Sequence, residues 1–349
     1  MLFKLIFSIF LLNENQPVKN GETLTEENVV ESNASLNQGQ DNQVFLAAID
    51  KDGQNYHIEE ILKVFERENA IDIKPAFFPN IAIKLETQFA PGISTSKVLV
   101  HEILEFLLNR GYTKSQITLF DREKAGLVSS GFLTSSGKSN LFKGFRVTNS
   151  SEVDYYREDW FHDSPLPPTA FDRAKFILKY PQNPASRLQK ERKSYLPAVL
   201  LGDTYWINLA VPMDDPFLGI NGAAANLTLG GMSNFGRFMN KTTLSPATVT
   251  EVLAIPEIWE NKLFSILDFS NFQVANGQQF DSRYSASQNA IFIGKNPIVL
   301  DYFAWKIISK ERMFGHGLSS RKQENALLFK YAKELGLGKP GNFHAKRIR

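Results

Sequence analysis

Asp121, Asp268 and Asp301 are the residues whose positions first suggest chemistry. Asp121 closes the apolar run Ile117-Thr118-Leu119-Phe120, and Asp268 closes Phe264-Ser265-Ile266-Leu267. Asp301 falls in the first turns of a helix opened by Asn296-Pro297. In parallel α/β sheets ligands bind beyond the carboxyl ends of the strands, so Asp121 and Asp268 mark one candidate rim. Carboxylates on such a rim can bind a cation or work as acid or base. The same residues also serve as helix caps and loop anchors. The adjacent pair Asp214-Asp215 supplies hard oxygen atoms for a divalent cation, or else a solvated acidic pair.

Several chemistries are absent from the sequence. The chain has no cysteine, which excludes disulfides, thiolate nucleophiles and an iron–sulfur cluster ligated by its own thiolates. Its five histidines, His57, His101, His162, His316 and His344, have no metal-ligand spacing. Neither a G-x-S-x-G elbow nor a phosphate-loop lysine motif is found. With 39 basic and 37 acidic side chains the net charge is +2, too balanced for a nucleic-acid footprint over the surface. The cofactor, if any, is left open, and so is the oligomeric state.

The elements that must position these residues follow from the hydrophobic pattern. Val44 to Ile49 reads as a buried strand ending at Asp50-Lys51-Asp52-Gly53. Ile58, Ile61, Leu62 and Phe65 recur at helical spacing, and Val98, Leu99, Ile103, Phe106 and Leu107 form a second helix closed by Gly111. The strands at Val44 to Ile49, Ile81 to Leu85 and Ile117 to Asp121 alternate with these helices, which predicts parallel pairing of the three. Further strands are predicted at Phe145 to Thr148, Trp206 to Val211, Phe264 to Asp268 and Ala290 to Gly294. Helices are expected near Ala247 to Ile255, from Asn296-Pro297 to Ile308, and over Gln323 to Leu335. The small-residue stretch from Gly219 to Gly231 lets backbones approach one another or a ligand closely.

The predicted fold class is α/β: a mainly parallel sheet with helices on both faces, built from two interlocked βα halves. Residues 1–16 hold a short apolar run behind Lys4. It resembles a signal-peptide core, or an apolar segment packed on the domain, and is too short to span a membrane. Residues 17–43 are polar, as in a disordered spacer, so an exported or surface-held domain is the favoured location, with a cytoplasmic one the alternative. Residues 44–338 form the α/β domain with an insertion or lid near 154–194, and 339–349 form a basic tail expected to fray.

Read in order, Ile83-Lys84, Asp121, Trp206-Ile207-Asn208-Leu209, Gly222-Ala223-Ala224-Ala225-Asn226-Leu227, Leu267-Asp268 and Pro297-Ile298-Val299-Leu300-Asp301 resemble the landmarks of the domain of unknown function 362 family. The resemblance spans Val44 to Gly338. It implies a cleft that gathers Lys84, Asp121, Asn208, Asn226, Asp268 and Asp301 around a small anionic ligand. The chain departs from the family where Lys-x-His is replaced by Met213-Asp214-Asp215-Pro216 and Lys-Asn by Ala225-Asn226. It also lacks the cysteine-rich iron–sulfur segment seen in many members. Two functional readings follow: a family-type enzyme or small-molecule binder, or a catalytically degenerate exported binding or structural protein.

Overall fold

The computed structural model describes residues 42–50, 54–135, 139–163, 192–239, 244–277, 279–319, 326–341 and 343–348. The signal-like segment 1–16, nearly all of the polar spacer and residues 164–191 of the predicted insertion lie outside them.

The apolar runs become strands where predicted: β1 (Gln43–Ala48), β2 (Asn80–Lys84) and β3 (Ile117–Phe120), followed by β4 (Leu141–Phe142) and β5 (Phe145–Thr148). β6 (Tyr156–Asp163) and β7 (Lys193–Pro197) pair antiparallel as a separate two-stranded ribbon. β8 (Thr204–Ala210) leads to the short β9 (Met213–Asp215) and β10 (Gly219–Asn221). β11 (Lys262–Asp268), β12 (Phe272–Gln273), β13 (Ser285–Ala286), β14 (Ala290–Gly294) and β15 (His344–Ile348) complete the described strands. The main sheet has nine strands in the order β15-β1-β14-β11-β8-β2-β3-β5-β4. It is mixed and mostly parallel: β11, β8, β2, β3 and β5 run parallel in succession, whereas β14 is antiparallel to both β1 and β11.

Two sequence expectations are corrected here. β1 does not join the β2–β3 block; it lies between β14 and β15, several strands away. The basic tail is not frayed either. Residues 344–348 add to β1 as a parallel edge strand, and Lys346 pairs with Glu68 at 2.7 Å. Backbone pairing with β1 and that ion pair hold a segment whose composition alone suggested solvent.

Helices α1 (Ile58–Asn69), α2 (Lys97–Asn109) and α3 (Lys124–Ser129) come from the first part of the chain. α4 (Ala223–Leu227), α5 (Leu244–Leu253), α6 (Pro256–Trp259), α7 (Pro297–Phe314) and α8 (Leu327–Glu334) come from the second. Asn296 caps α7 as predicted, its Oδ1 accepting from the Ile298 and Val299 N–H groups. Gly111, just past α2, has φ 92°, the left-handed value that its position after the helix requires.

Alternate strand residues divide between two hydrophobic clusters, as the two-residue period dictates. Ala82, Trp206, Ala210, Leu267 and Phe292 join the buried residues of α4, α5, α7 and α8. Ile81, Ile83, Ile207, Leu209, Phe264 and Ile266 join those of α1, α2 and α3. Lys84 and Asn208 lie two residues from Ala82, Trp206 and Ala210 and share their face, so two polar side chains project toward the first cluster. That placement makes the polar groups costly unless they are fully hydrogen-bonded.

Candidate functional site

Lys84 ends β2 and is opposite Asn208 of β8, which is in turn opposite Ser265 of β11. The Lys84 side chain is fully buried. Its Nζ donates to Asp121 Oδ1 at 2.7 Å, to Asn226 Oδ1 at 2.8 Å and to the Leu85 carbonyl at 2.6 Å. An ammonium has three N–H donors, and all three are used.

Lysine can only donate, so it forces the Asn226 amide to present its oxygen, and the rest of the chain follows. Asn226 Nδ2 donates to Asn208 Oδ1 at 2.8 Å, and Asn208 Nδ2 donates to the Ala223 carbonyl at 2.7 Å. Asp121 is equally engaged. Its Oδ1 accepts from Lys84 and from the Arg122 N–H, and its Oδ2 accepts from the Thr87 N–H and hydroxyl. Those four bonds fill the carboxylate's lone-pair sites.

Four of the predicted residues, Lys84, Asp121, Asn208 and Asn226, therefore meet in one network. Asp301 adjoins it through α4. From α7 it accepts the Ala223 N–H at 2.6 Å and the Ala224 N–H at 2.9 Å, capping the helix that carries Asn226. Burial pushes its carboxyl up to about 7, and the two N–H bonds pull it back. The small-residue stretch is used against protein atoms here, because a Cβ at Gly222 would lie 2.3 Å from Asp301 Oδ1.

Asp268 is not part of this network. It lies three residues past Ser265, so its side chain falls on the other side of β11. There its Oδ2 accepts from the Tyr56 hydroxyl at 2.7 Å and its Oδ1 from the Ser270 N–H at 2.8 Å. Burial raises the Asp268 carboxyl. Asp214 and Asp215 do not form a metal pair. Asp214 faces Arg312 at 3.3 Å, and Asp215 Oδ1 holds the turn that follows by accepting from the Phe217 and Leu218 N–H groups. Neighbouring residues of a strand point to opposite sides, so the two carboxylates diverge. Among the described residues no group of three or more His, Asp or Glu is placed to hold a metal ion.

The three donors of Lys84, expected to meet an anionic group, are all used inside the fold in this structure.

A cavity of about 30 Å³ lies next to the network, bordered by Glu86, Gln88, Asp215, Asn221, Asn226 and Phe235 among others. Glu86 follows β2 two residues after Lys84. Its backbone is fixed by Thr95, whose hydroxyl accepts the Glu86 N–H at 2.7 Å and donates to the Leu209 carbonyl at 2.9 Å. Burial pushes the Glu86 carboxyl up to about 7; Lys84 pulls it back, Asp121 adds to the rise and Arg122 opposes it. Sequence reasoning missed Glu86, although the strand-end rule that selected Asp121 applies to it equally.

The sign of this shift sets a pH dependence. A carboxyl whose folded pKa is raised from 4.5 to about 7 favours the folded state most below 4.5. That contribution is lost as pH rises toward 7 and amounts to about 3 kcal/mol. Glu86→Gln keeps the size and removes the titration. The variant is expected to match the wild type near pH 4 and to exceed it above pH 7 by roughly 1–3 kcal/mol. Urea unfolding across pH checks this; a variant less stable at every pH would mean the carboxylate is held ionised by a partner.

No model of a known protein family matches the chain, and no curated protein sequence matches it. No helix among the described residues is long and apolar enough to cross a membrane.

Proposed function

We propose that this chain is a small-molecule-binding protein of the domain of unknown function 362 type whose binding site is the cavity beside Glu86. In this reading the polar residues that would engage an anion in a relative are committed to the fold, and the catalytic role implied by the resemblance has been given up. The observation that carries it is the saturation of Lys84 and Asp121 next to a cavity wall that still bears a buried carboxyl. The two-halved arrangement, with helices over both faces of the sheet, is part of the same proposal. Its support is the division of the strand residues between one cluster with α1 to α3 and another with α4, α5, α7 and α8.

The test is a thermal-shift screen of the full chain with small metabolites of every charge class. A ligand at a hundred times its Kd contributes about 2.7 kcal/mol, which for a domain of this size raises Tm by roughly 5 °C. Ala225 is buried on the cavity wall, so Ala225→Leu fills the space without adding charge and is expected to remove the shift. A screen in which no compound stabilises the wild type, or in which Ala225→Leu responds equally, contradicts the proposal.

A further inference from the structure

We infer that the cavity beside Glu86 takes the head group of a primary amine as its ammonium ion, an assignment that rests on reading this cavity as the ligand site. Glu86 is 5% exposed and makes no ion pair among the described residues; its hydrogen-bond partner is the Gln88 N–H. The nearest cations are engaged elsewhere, Lys84 with Asp121 and Arg122 with Glu123. A buried carboxylate without a counter-ion is expensive, and a bound cation removes that cost.

The rest of the wall selects the same ligand class. Asp215, Asn221 and Gln88 also border the cavity, and no lysine or arginine does so among the described residues. An anion would sit against a wall that bears acidic side chains, whereas an ammonium can place three N–H groups on acceptors. A volume of about 30 Å³ holds two water-sized groups, enough for an ammonium and its first carbon.

Uptake requires the ionised carboxylate, so binding displaces a proton. The charged groups around Glu86 are Lys84 on β2, Asp121 and Arg122 after β3, and Asp215 on β9. An alkylamine stays protonated well above neutrality, like a lysine side chain. Affinity is therefore governed by Glu86 and is expected to be about thirty-fold weaker at about pH 5.5 than at about pH 8.

Titration calorimetry on the full chain tests this with ammonium and methylammonium chlorides, against sodium acetate and ethylene glycol, at ionic strength matched with potassium chloride. The expected result is binding of the ammonium salts, the stated pH dependence and release of about one proton near pH 6. Glu86→Gln should abolish binding, and because the pH profile and proton release are read on the wild type, the test does not depend on that variant folding. Ammonium binding with a flat pH profile overturns the assignment to Glu86. If acetate or ethylene glycol binds and the ammonium salts do not, the amine assignment falls while the cavity survives as a ligand site. If a broad metabolite screen also gives no binding, both fall.

Discussion

Lys84→Ala is expected to lower the unfolding free energy by about 3–5 kcal/mol with no ligand present. The substitution leaves Asp121 buried, with Arg122 and Thr87 still donating but its lysine partner gone. It also frees the Asn226 oxygen, so the ordered run of amides from Asn226 to Asn208 to Ala223 loses the donor that sets its direction. Lys84→Met should lose nearly as much despite its length, because shape is kept and the hydrogen bonds are not. Replacing both charges, as in Lys84→Met with Asp121→Leu, should recover part of the loss, since an apolar pair of similar volume can equal a buried ion pair. Guanidinium denaturation measures all three. A lysine held ready for a ligand would give the opposite outcome, a variant as stable as the wild type or more so.

Gly222→Ala is expected to cost about 3 kcal/mol or more, by dislodging Asp301. The new Cβ would sit 2.3 Å from Asp301 Oδ1 and 2.9 Å from its Cγ. This carboxylate cannot swing aside cheaply, because it is fully buried and holds the Ala223 and Ala224 N–H groups. Displacing it strands two buried donors, each costing about 1–3 kcal/mol. α4 has five residues, too short to hold itself together. Loosening its N-terminus also moves Asn226, and with it a partner of Lys84. Asp301→Ala removes the same two bonds and the clash together. The double variant should therefore cost little more than the worse single one, a coupling of about 2 kcal/mol in a double-mutant cycle. Additive losses would mean that Asp301 does not clamp this helix.

The sequence made the central strands legible because each is a short apolar run bounded by turn residues, and it made the start of α7 legible because Asn296 and Pro297 each have one physical use there. Strand neighbours were less accessible. β1 resembles β2 in composition, yet it pairs antiparallel with β14, and only long-range packing decides that. His344 to Ile348 reads as a solvated tail because its charges hide a backbone that pairs with β1.

The candidate site divides in the same way. Strand ends pointed to Lys84, Asp121 and Asn208, and these do meet. What they do on meeting depends on Asn226, which lies 142 residues from Lys84 along the chain. Counting spent donors requires knowing that contact. Asp268 was grouped with them because it also ends a strand, but the face it occupies is set by its register against β8, which no single strand reveals. Glu86 directly follows the run Ile81 to Leu85, and nothing in the strand pattern separates it from a solvated acid at a strand end.

The most direct test of the central claim is the proton–nitrogen correlation spectrum of the lysine ammonium groups, with the Lys84 signal assigned by its loss in Lys84→Met. The closed network predicts an Nζ signal whose protons exchange slowly with water and whose position is unchanged by phosphate or acetate. A Lys84 signal broadened by fast exchange, or one that moves as either anion is added, would show a free cation and contradict the account.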